Sequence, residues 1–231
     1  MHYDVICISD LHLGAKNSQT KRLRRFLHKL KKGKHLSAEI LIIVGDAFEK
    51  QKEKPLRKRD RKVIKLIRKI AKKIRVIDLI GNHDLDPEFN KKHFCVEVME
   101  EFVFTSGDKK VYVSHGHQHD KFLDKHPLIT NVADAFYNIS QQIDPSHSIA
   151  RLLKKRSKQF LKVAKKIGVG VAQAAIAKGC NMAVHGHNHH AGHSVIDGVD
   201  VWDDGCWTEK PCTFWSIKNG EALLHEMTKN D

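Results

Sequence analysis

The chain lacks long hydrophobic runs and a signal-like start. None of its 231 residues lies in a run that approaches the roughly 18 to 20 apolar residues needed to span a bilayer. The first residues show no charged start, no long apolar block and no small-residue cleavage site, so we expect no signal peptide. We therefore expect a cytoplasmic protein, or one held peripherally at the cytosolic face of the inner membrane.

Paired cysteines and aromatic residues are also scarce. The five cysteines are spread along the chain without a Cys-x-x-Cys pair, which is typical of reduced, buried thiols rather than of disulfides or a zinc ribbon. Aromatic residues make up 7% of the chain, which is few for a surface that stacks single-stranded bases. The sequence contains no internal repeat and no low-complexity linker.

Positive charge is present in large excess. The net charge is +14, which favours nucleic acid, anionic lipid or a phosphorylated substrate as the partner. The length and the 41% hydrophobic content predict one sizeable domain with a packed core and room for an inserted subdomain.

Short apolar runs rich in branched residues alternate with amphipathic segments. The runs over 3–9, 39–44 and 75–80 predict buried strands, and the segments between them predict helices with a solvated basic face. This alternation predicts an α/β domain. Further strands are predicted over 95–99, 102–106, 111–114, 181–184, 213–217 and 221–226, and a hairpin with an Asp-Gly turn over 195–202.

Acid, amide and histidine side chains follow five of the predicted strands. Extended residues alternate sides, so Asp10 and His12 fall on one side of the chain and can reach the same ion. Ligands usually bind at the carboxyl ends of strands in an α/β sheet. Polar residues after a single strand are also typical of a turn with a surface histidine, but the same pattern after five strands indicates a functional site. The candidate residues are Asp10, His12, Asp46, Asn82, His83, His115, His187 and His189.

These blocks resemble the calcineurin-like metallophosphoesterases. In chain order they are Asp-Leu-His at 10–12, Gly-Asp-Ala-Phe-Glu at 45–49, Gly-Asn-His-Asp at 81–84, Ser-His-Gly-His at 114–117 and Gly-His-Asn-His at 186–189. The resemblance spans residues 10–189. It implies a single α/β domain over 1–231, built as a β-sandwich of mixed sheets flanked by helices.

The resemblance also implies a centre of two divalent metal ions. In such a centre Asp46 bridges both ions, Asp10, His12 and His189 complete one ligand shell, and Asn82, His115 and His187 complete the other. Mixed carboxylate, amide and imidazole ligands suit Mn²⁺, Fe or Zn²⁺ more than Mg²⁺ or Ca²⁺, and we expect Mn²⁺.

The same resemblance implies hydrolysis of a phosphodiester or pyrophosphate bond. A hydroxide that bridges the two ions attacks the phosphorus in line, and the ions neutralise the charge on the phosphoryl oxygens. His83 would act as the general acid or stabilise the transition state. Glu49 and Asp84 would orient the ligating side chains without binding the metals.

A closer resemblance concerns the branch that contains the UDP-2,3-diacylglucosamine hydrolases. Residues 203–213 are similar to its Gly-Asp-Trp-Val-Glu-Ser-Cys-Thr stretch, with Cys206 where that branch has Asp. Those enzymes release UMP and the lipid 1-phosphate from a lipid A precursor, beneath a helical cap that helps form the acyl-chain pocket. Residues 118–180 are similarly predicted to form a helical cap insertion. Its basic stripe is either a solvated face or a contact for anionic lipid or substrate, through Lys154, Lys158, Lys162 and Lys165.

Other functions remain open at the level of the sequence. A phosphodiesterase or nuclease that acts on nucleotides or nucleic acid suits the net charge, and a phosphoprotein phosphatase shares the same metal ligands. A non-catalytic binding protein built on this fold would have lost ligands, and none is lost here.

Overall fold

The computed structural model describes residues 1–51, 56–120 and 158–228. These residues form eleven strands and four α-helices. The strands are β1 His2–Ile8, β2 Ser37–Val44, β3 Arg75–Leu79, β4 Glu97–Met99, β5 Glu101–Ser106, β6 Lys109–Ser114, β7 Met182–His185, β8 Gly192–Ile196, β9 Val199–Asp203, β10 Cys212–Lys218 and β11 Glu221–Met227. The helices are α1 Thr20–Lys32, α2 Lys58–Ile70, α3 Pro87–Phe94 and α4 Lys158–Ala177.

The strands form two mixed sheets. The first has the order β11-β10-β1-β2-β3-β4, in which β1 to β4 are parallel and β10 and β11 are antiparallel to their neighbours. The second has the order β5-β6-β7-β9-β8, with β6, β7 and β9 parallel. The predicted sandwich of mixed sheets is confirmed.

Alternate residues of each strand enter different layers of the core. Val5 and Cys7 face the second sheet, where they meet Val113 and Val184, and the intervening Ile6 and Ile8 face the helices. This alternation follows from the two-residue period of a strand. The core therefore has one layer between the sheets and one on the outer face of each sheet.

Helices cover both outer faces. The apolar stripes of α1 and α2 pack on the first sheet through residues such as Phe26 and Ile67. On the second sheet, Val171 and Ala175 of α4 pack against Tyr112 and Ala183. The order of layers is therefore helix, sheet, sheet, helix, as the resemblance implied.

The predicted cap insertion over 118–180 falls largely on residues 121–157, which lie outside the described residues. The described residues of that range are 118–120 and 158–180, and the second segment contains α4, which flanks the sandwich through its packing on the second sheet. None of the helices in the described part of the chain combines the length and hydropathy needed to cross a membrane.

Candidate metal centre

The predicted ligands converge at one edge of the sandwich, where loops from both sheets meet. The amides of Asp10 and His12 donate to the carbonyls of Gly45 and Asp46 at 3.2 and 3.0 Å. From the second sheet, the amide of His187 donates to Oδ2 of Asp10 at 3.0 Å. These bonds fix the loops after β1, β2 and β7 against each other, so side chains that are far apart in sequence share one site.

The first group of ligands is Asp10, His12 and His189, which place one atom each within 4.8 Å of the others. Nε2 of His189 lies 2.9 Å from Oδ1 of Asp10, and Nε2 of His12 lies 3.6 Å from the same oxygen. Burial alone would raise the pKa of Asp10, but the charge on His189 and the close approach of the rings of His189 and His12 hold it well below its usual range. The carboxylate is therefore ionised and available to a cation.

Asp46 connects this group to a second one. Its Oδ2 lies 3.4 Å from Nε2 of His115 and 3.6 Å from Nε2 of His12. Burial lowers the pKa of His115, but the adjacent Asp46 carboxylate outweighs that effect and raises the pKa to about 10. Asp46 thus occupies the position between two ligand sets that a bridging carboxylate requires.

Asn82 and His187 line the same site with less direct contacts. Oδ1 of Asn82 is buried, and the ring of His187 is 5.2 Å from that of His115. Nε2 of His187 lies 3.1 Å from Oδ2 of Asp120. Among the described His, Cys, Asp and Glu residues, His187 is in none of the groups within ligand distance of one another.

The environment of three predicted ligand atoms indicates whether these residues fit metal ions. Nε2 of His12, Nε2 of His115 and Oδ1 of Asn82 are buried and have no hydrogen-bond partner among the described residues. Unsatisfied buried polar atoms are rare in folded proteins and costly, so each requires an explanation. Coordination would satisfy all three, and the donor set is compatible with a binuclear metal centre.

Neighbouring groups orient the ligating histidines. Glu49 Oε2 lies 2.9 Å from Nδ1 of His12, and Nδ1 of His115 donates to the carbonyl of Val44 at 2.7 Å. Each contact leaves Nε2 directed at the site, which is the role that outer carboxylates and carbonyls have around metal-bound histidines. Asp84 accepts from the amide of Gly81 at 3.0 Å, so it acts on the turn that carries Asn82.

The backbone around the ligands is unusually tight. A Cβ on Gly81 would overlap Oδ1 and the amide of Asp46, and a Cβ on Gly45 would overlap the ring of His115. Several ligands also occupy the left-handed region, which costs energy for residues other than glycine and tends to occur at functional sites. These residues are Asp10, His12, Asp46, His187 and His189.

His83 lies at the edge of the cluster, with its side chain 37% exposed. Its amide donates to Oδ1 of Asp46 at 2.9 Å, and its Nδ1 lies 3.0 Å from the carbonyl of Glu49. Nε2 is 3.9 Å from Oδ2 of Asp46. The imidazole is thus held on one side and open to a bound molecule on the other.

The family model for calcineurin-like phosphoesterases matches residues 3–191. The chain belongs to this family. As a member of the calcineurin-like phosphoesterases, the protein is a metal-dependent hydrolase of phosphoesters. A search of curated proteins gives no match.

Several solved structures are similar to this chain in fold, at low sequence identity. An archaeal phosphodiesterase is 14% identical over 96% of this chain and 99% of its own, with a TM-score of 0.49. The phosphoesterase YfcE from E. coli is 13% identical over 97% of this chain and 99% of its own, with a TM-score of 0.49. Vacuolar protein sorting 29 from Cryptosporidium parvum is 16% identical over 98% and 99%, with a TM-score of 0.46.

Several residues that contact the ligands of this phosphoesterase site were not predicted as site residues, although Asp204, Trp207 and Thr208 lie in the stretch 203–213 that resembles the lipid-hydrolase branch. Ser9 donates to Asp204 at 2.5 Å, and the amide of Trp207 donates to the carbonyl of Asp10 at 3.2 Å. Thr208 Oγ1 lies 3.4 Å from Nδ1 of His189. Asp203 ends β9 and Asp204 follows it, so the pattern of acids at a strand end that identified the ligands was also present here.

The predicted substrate-binding lysines belong to the range 118–180, which the structure describes only in part. Lys154 is outside the described residues, and Lys158 is the first residue of α4. Lys162 and Lys165 are exposed on that helix. Within the described part of the chain, no hydrogen bond or ion pair joins Lys162 or Lys165 to the metal ligands, so their role stays a prediction.

Proposed function

We propose that the protein hydrolyses a phosphodiester or pyrophosphate bond, and that its substrate is UDP-2,3-diacylglucosamine. The products are UMP and 2,3-diacylglucosamine 1-phosphate. The observation that carries the hydrolytic function is the position of Asp46, whose Oδ2 lies within 3.6 Å of imidazole nitrogens from both ligand sets.

Two divalent ions would be held by the buried acids, amide and histidines, with Mn²⁺ expected and Fe or Zn²⁺ as alternatives. When bound, such ions activate water and neutralise charge on the phosphoryl group. The ligand set is Asp10, His12 and His189 on one side, Asn82, His115 and His187 on the other, and Asp46 between them.

His83 would supply the proton for the leaving oxygen. Its backbone amide and Nδ1 are held by Asp46 and by the carbonyl of Glu49, and its Nε2 lies 3.9 Å from Oδ2 of Asp46. A positioned acid of this kind contributes roughly 10²- to 10⁴-fold to the rate. His83 therefore makes direct contact with the substrate in this proposal.

The choice of substrate is supported by the stretch 203–213. Its resemblance to the UDP-2,3-diacylglucosamine hydrolase branch is joined by contacts to the site, since Trp207 and Thr208 contact Asp10 and His189. A substrate of this kind places the protein at the cytosolic face of an anionic membrane. The net charge of +14 also suits a second candidate, a phosphodiesterase or nuclease that acts on nucleotides or nucleic acid.

The test is to compare three substrates with Mn²⁺ present: UDP-2,3-diacylglucosamine, bis-p-nitrophenyl phosphate and a short single-stranded oligonucleotide. We expect release of UMP from the lipid at rates far above those for the other two, and loss of all activity after chelation. Turnover of only the diester or the oligonucleotide would retain the hydrolytic function and exclude the lipid substrate. No turnover of any of them with both ions bound would contradict the hydrolytic function itself.

A further inference from the structure

Nearly all of the net positive charge is carried by two neighbouring helices. In each of α1 and α2, seven of the thirteen residues are Lys or Arg, and Asp60 is the only acid in either helix. Together they have a net charge of +13, against +14 for the whole chain. The other 205 residues are therefore almost neutral, with 27 basic and 26 acidic side chains.

This charge is directed outward on one continuous surface. We name the α1–α2 basic surface after its exposed lysines, which are Lys21 and Lys32 on α1, Lys58, Lys62, Lys65 and Lys69 on α2, and Lys72 and Lys73 just after α2. Asp60 is buried and bonded to Arg57 at 2.7 Å, so it does not interrupt the surface.

The cations of the two helices lie close enough to act together. Lys73, which follows α2, donates from Nζ to the carbonyl of Lys31 at 3.2 Å. His28 on α1 is exposed. Its pKa is lowered, first by slight burial and then by the charges of neighbouring cations, which include Lys69 of α2. Like charges at this density repel one another, so an arrangement without interspersed acids indicates a polyanionic partner.

The side chains on this surface restrict which polyanion it fits. The large apolar residues of α1 and α2 are buried, and those exposed in the described chain are elsewhere: Met1, Leu85, Leu161, Ile176, Val195 and Leu223. The only Phe, Tyr or Trp side chain in the two helices, that of Phe26, is also buried, so this surface offers none of these large rings for base stacking. Contact is therefore electrostatic and uses the headgroups or phosphates of the partner.

We propose that the α1–α2 basic surface docks the protein on an anionic lipid bilayer. The choice of a bilayer over a nucleic-acid duplex rests on the proposed lipid-linked substrate. A bilayer also needs no groove complementarity, which suits a broad face made by two adjacent helices. The surface begins near the metal centre, because Arg57 at the start of α2 donates to the carbonyl of Ala15 at 2.6 Å, three residues after His12.

The test is sedimentation of the full chain with vesicles of phosphatidylglycerol and phosphatidylcholine, compared with vesicles of phosphatidylcholine alone. The variant is Lys62→Gln, Lys65→Gln and Lys69→Gln, because glutamine keeps the length and the helix propensity of lysine. The competing variant removes three charges from α4, the helix whose Lys162 and Lys165 were predicted to contact anionic lipid or substrate, by Lys162→Gln, Lys165→Gln and Lys166→Gln. Circular dichroism and melting temperature verify that both variants are folded.

We expect wild-type protein to bind the anionic vesicles only, with an affinity that falls at high salt. The α2 variant should bind on the order of 100-fold more weakly, and the α4 variant should bind like wild type. Weaker binding by the α4 variant alone would overturn the proposal in favour of the other helix. Binding to duplex DNA without binding to anionic vesicles would overturn it in favour of nucleic acid.

Hydrolysis of soluble bis-p-nitrophenyl phosphate separates this proposal from the proposed function. The α2 variant should turn over this diester at the wild-type rate, since its changes are on the outer face of the helix. Wild-type turnover without vesicle binding would overturn the docking surface alone. Vesicle binding without any turnover would contradict the hydrolytic function and support the surface.

Discussion

Asp120 and His187 form a buried contact at the second ligand set, in which Oδ2 of Asp120 lies 3.1 Å from Nε2 of His187. Their side chains are 8% and 10% exposed. The contact occupies Nε2 of His187, so a metal ion would have to bind this ring through Nδ1. It parallels the contact between Glu49 and His12, so a carboxylate contacts one histidine in each predicted ligand set.

Removal of the Asp120 carboxylate should weaken the binding of one of the two ions selectively. We expect Asp120→Asn to lower the affinity for one of the two ions by roughly 10- to 100-fold, as is common for carboxylates that orient metal-bound histidines. Competition with a chelator measures both affinities without any assay of turnover. The matched control is Asp197→Asn, in the turn between β8 and β9, which should bind both ions normally. Tighter binding by Asp120→Asn would show instead that Asp120 competes with the ion for His187.

Asp46→Asn should abolish activity and disturb both ions, because the lost charge lies between the two ligand sets. The neutral amide keeps the shape of the side chain, so the protein should remain folded. Metal analysis after gel filtration gives the stoichiometry, and diester turnover gives the rate. Two tightly bound ions with near-normal turnover in this variant would refute the bridging role.

Gly81→Ala should damage the site through a steric clash. The new methyl group would overlap the carboxylate and amide of Asp46, and such overpacking typically costs about 1 to 3 kcal/mol. We expect a lower melting temperature and loss of bound metal. Gly192→Ala is the matched control, because its nearest neighbour would be 3.7 Å from the new carbon. Equal behaviour of the two variants would show that Asp46 moves aside without cost.

Metal binding should release protons near neutral pH. Burial lowers the pKa values of His12 and His115, but hydrogen bonds and charges from the surrounding carboxylates raise them to about 9 and about 10. Both rings are therefore protonated in the metal-free protein at pH 7 and must lose a proton to bind an ion. Apparent affinity should rise between pH 6 and 8. Calorimetry in buffers of different ionisation enthalpy measures the protons released, and a value of zero would contradict this account.

The strand ends of the site could be predicted because each is encoded locally. An apolar run such as 39–44 is followed at once by Gly45 and Asp46, and the structure places β2 and its loop there. In both sheets, the strand ends that meet at the site show the same pattern, an apolar run followed directly by polar residues. The family resemblance then implied which of these ligands would bind each of the two ions.

Other features depend on contacts that no local pattern records. The antiparallel pairing of β10 with β1 joins segments from opposite ends of the chain, and Asp120 follows a short 3-10 turn rather than a strand. The basic faces of α1 and α2 were interpreted as solvated because each helix is amphipathic by itself. Only their adjacency in the fold shows that they form one surface.

His83→Ala distinguishes a proton donor from a metal ligand. Nε2 of His83 lies within ligand distance of His12 and Asp46, yet the side chain is 37% exposed and is held through its Nδ1. We expect the variant to retain both ions and to lose roughly 10²- to 10⁴-fold in kcat, because only the acid is removed. The loss in kcat should be smaller for a substrate with a more acidic leaving group, such as a p-nitrophenyl ester, because that leaving group needs less protonation. Loss of one ion from the variant would instead assign His83 to the ligand shell.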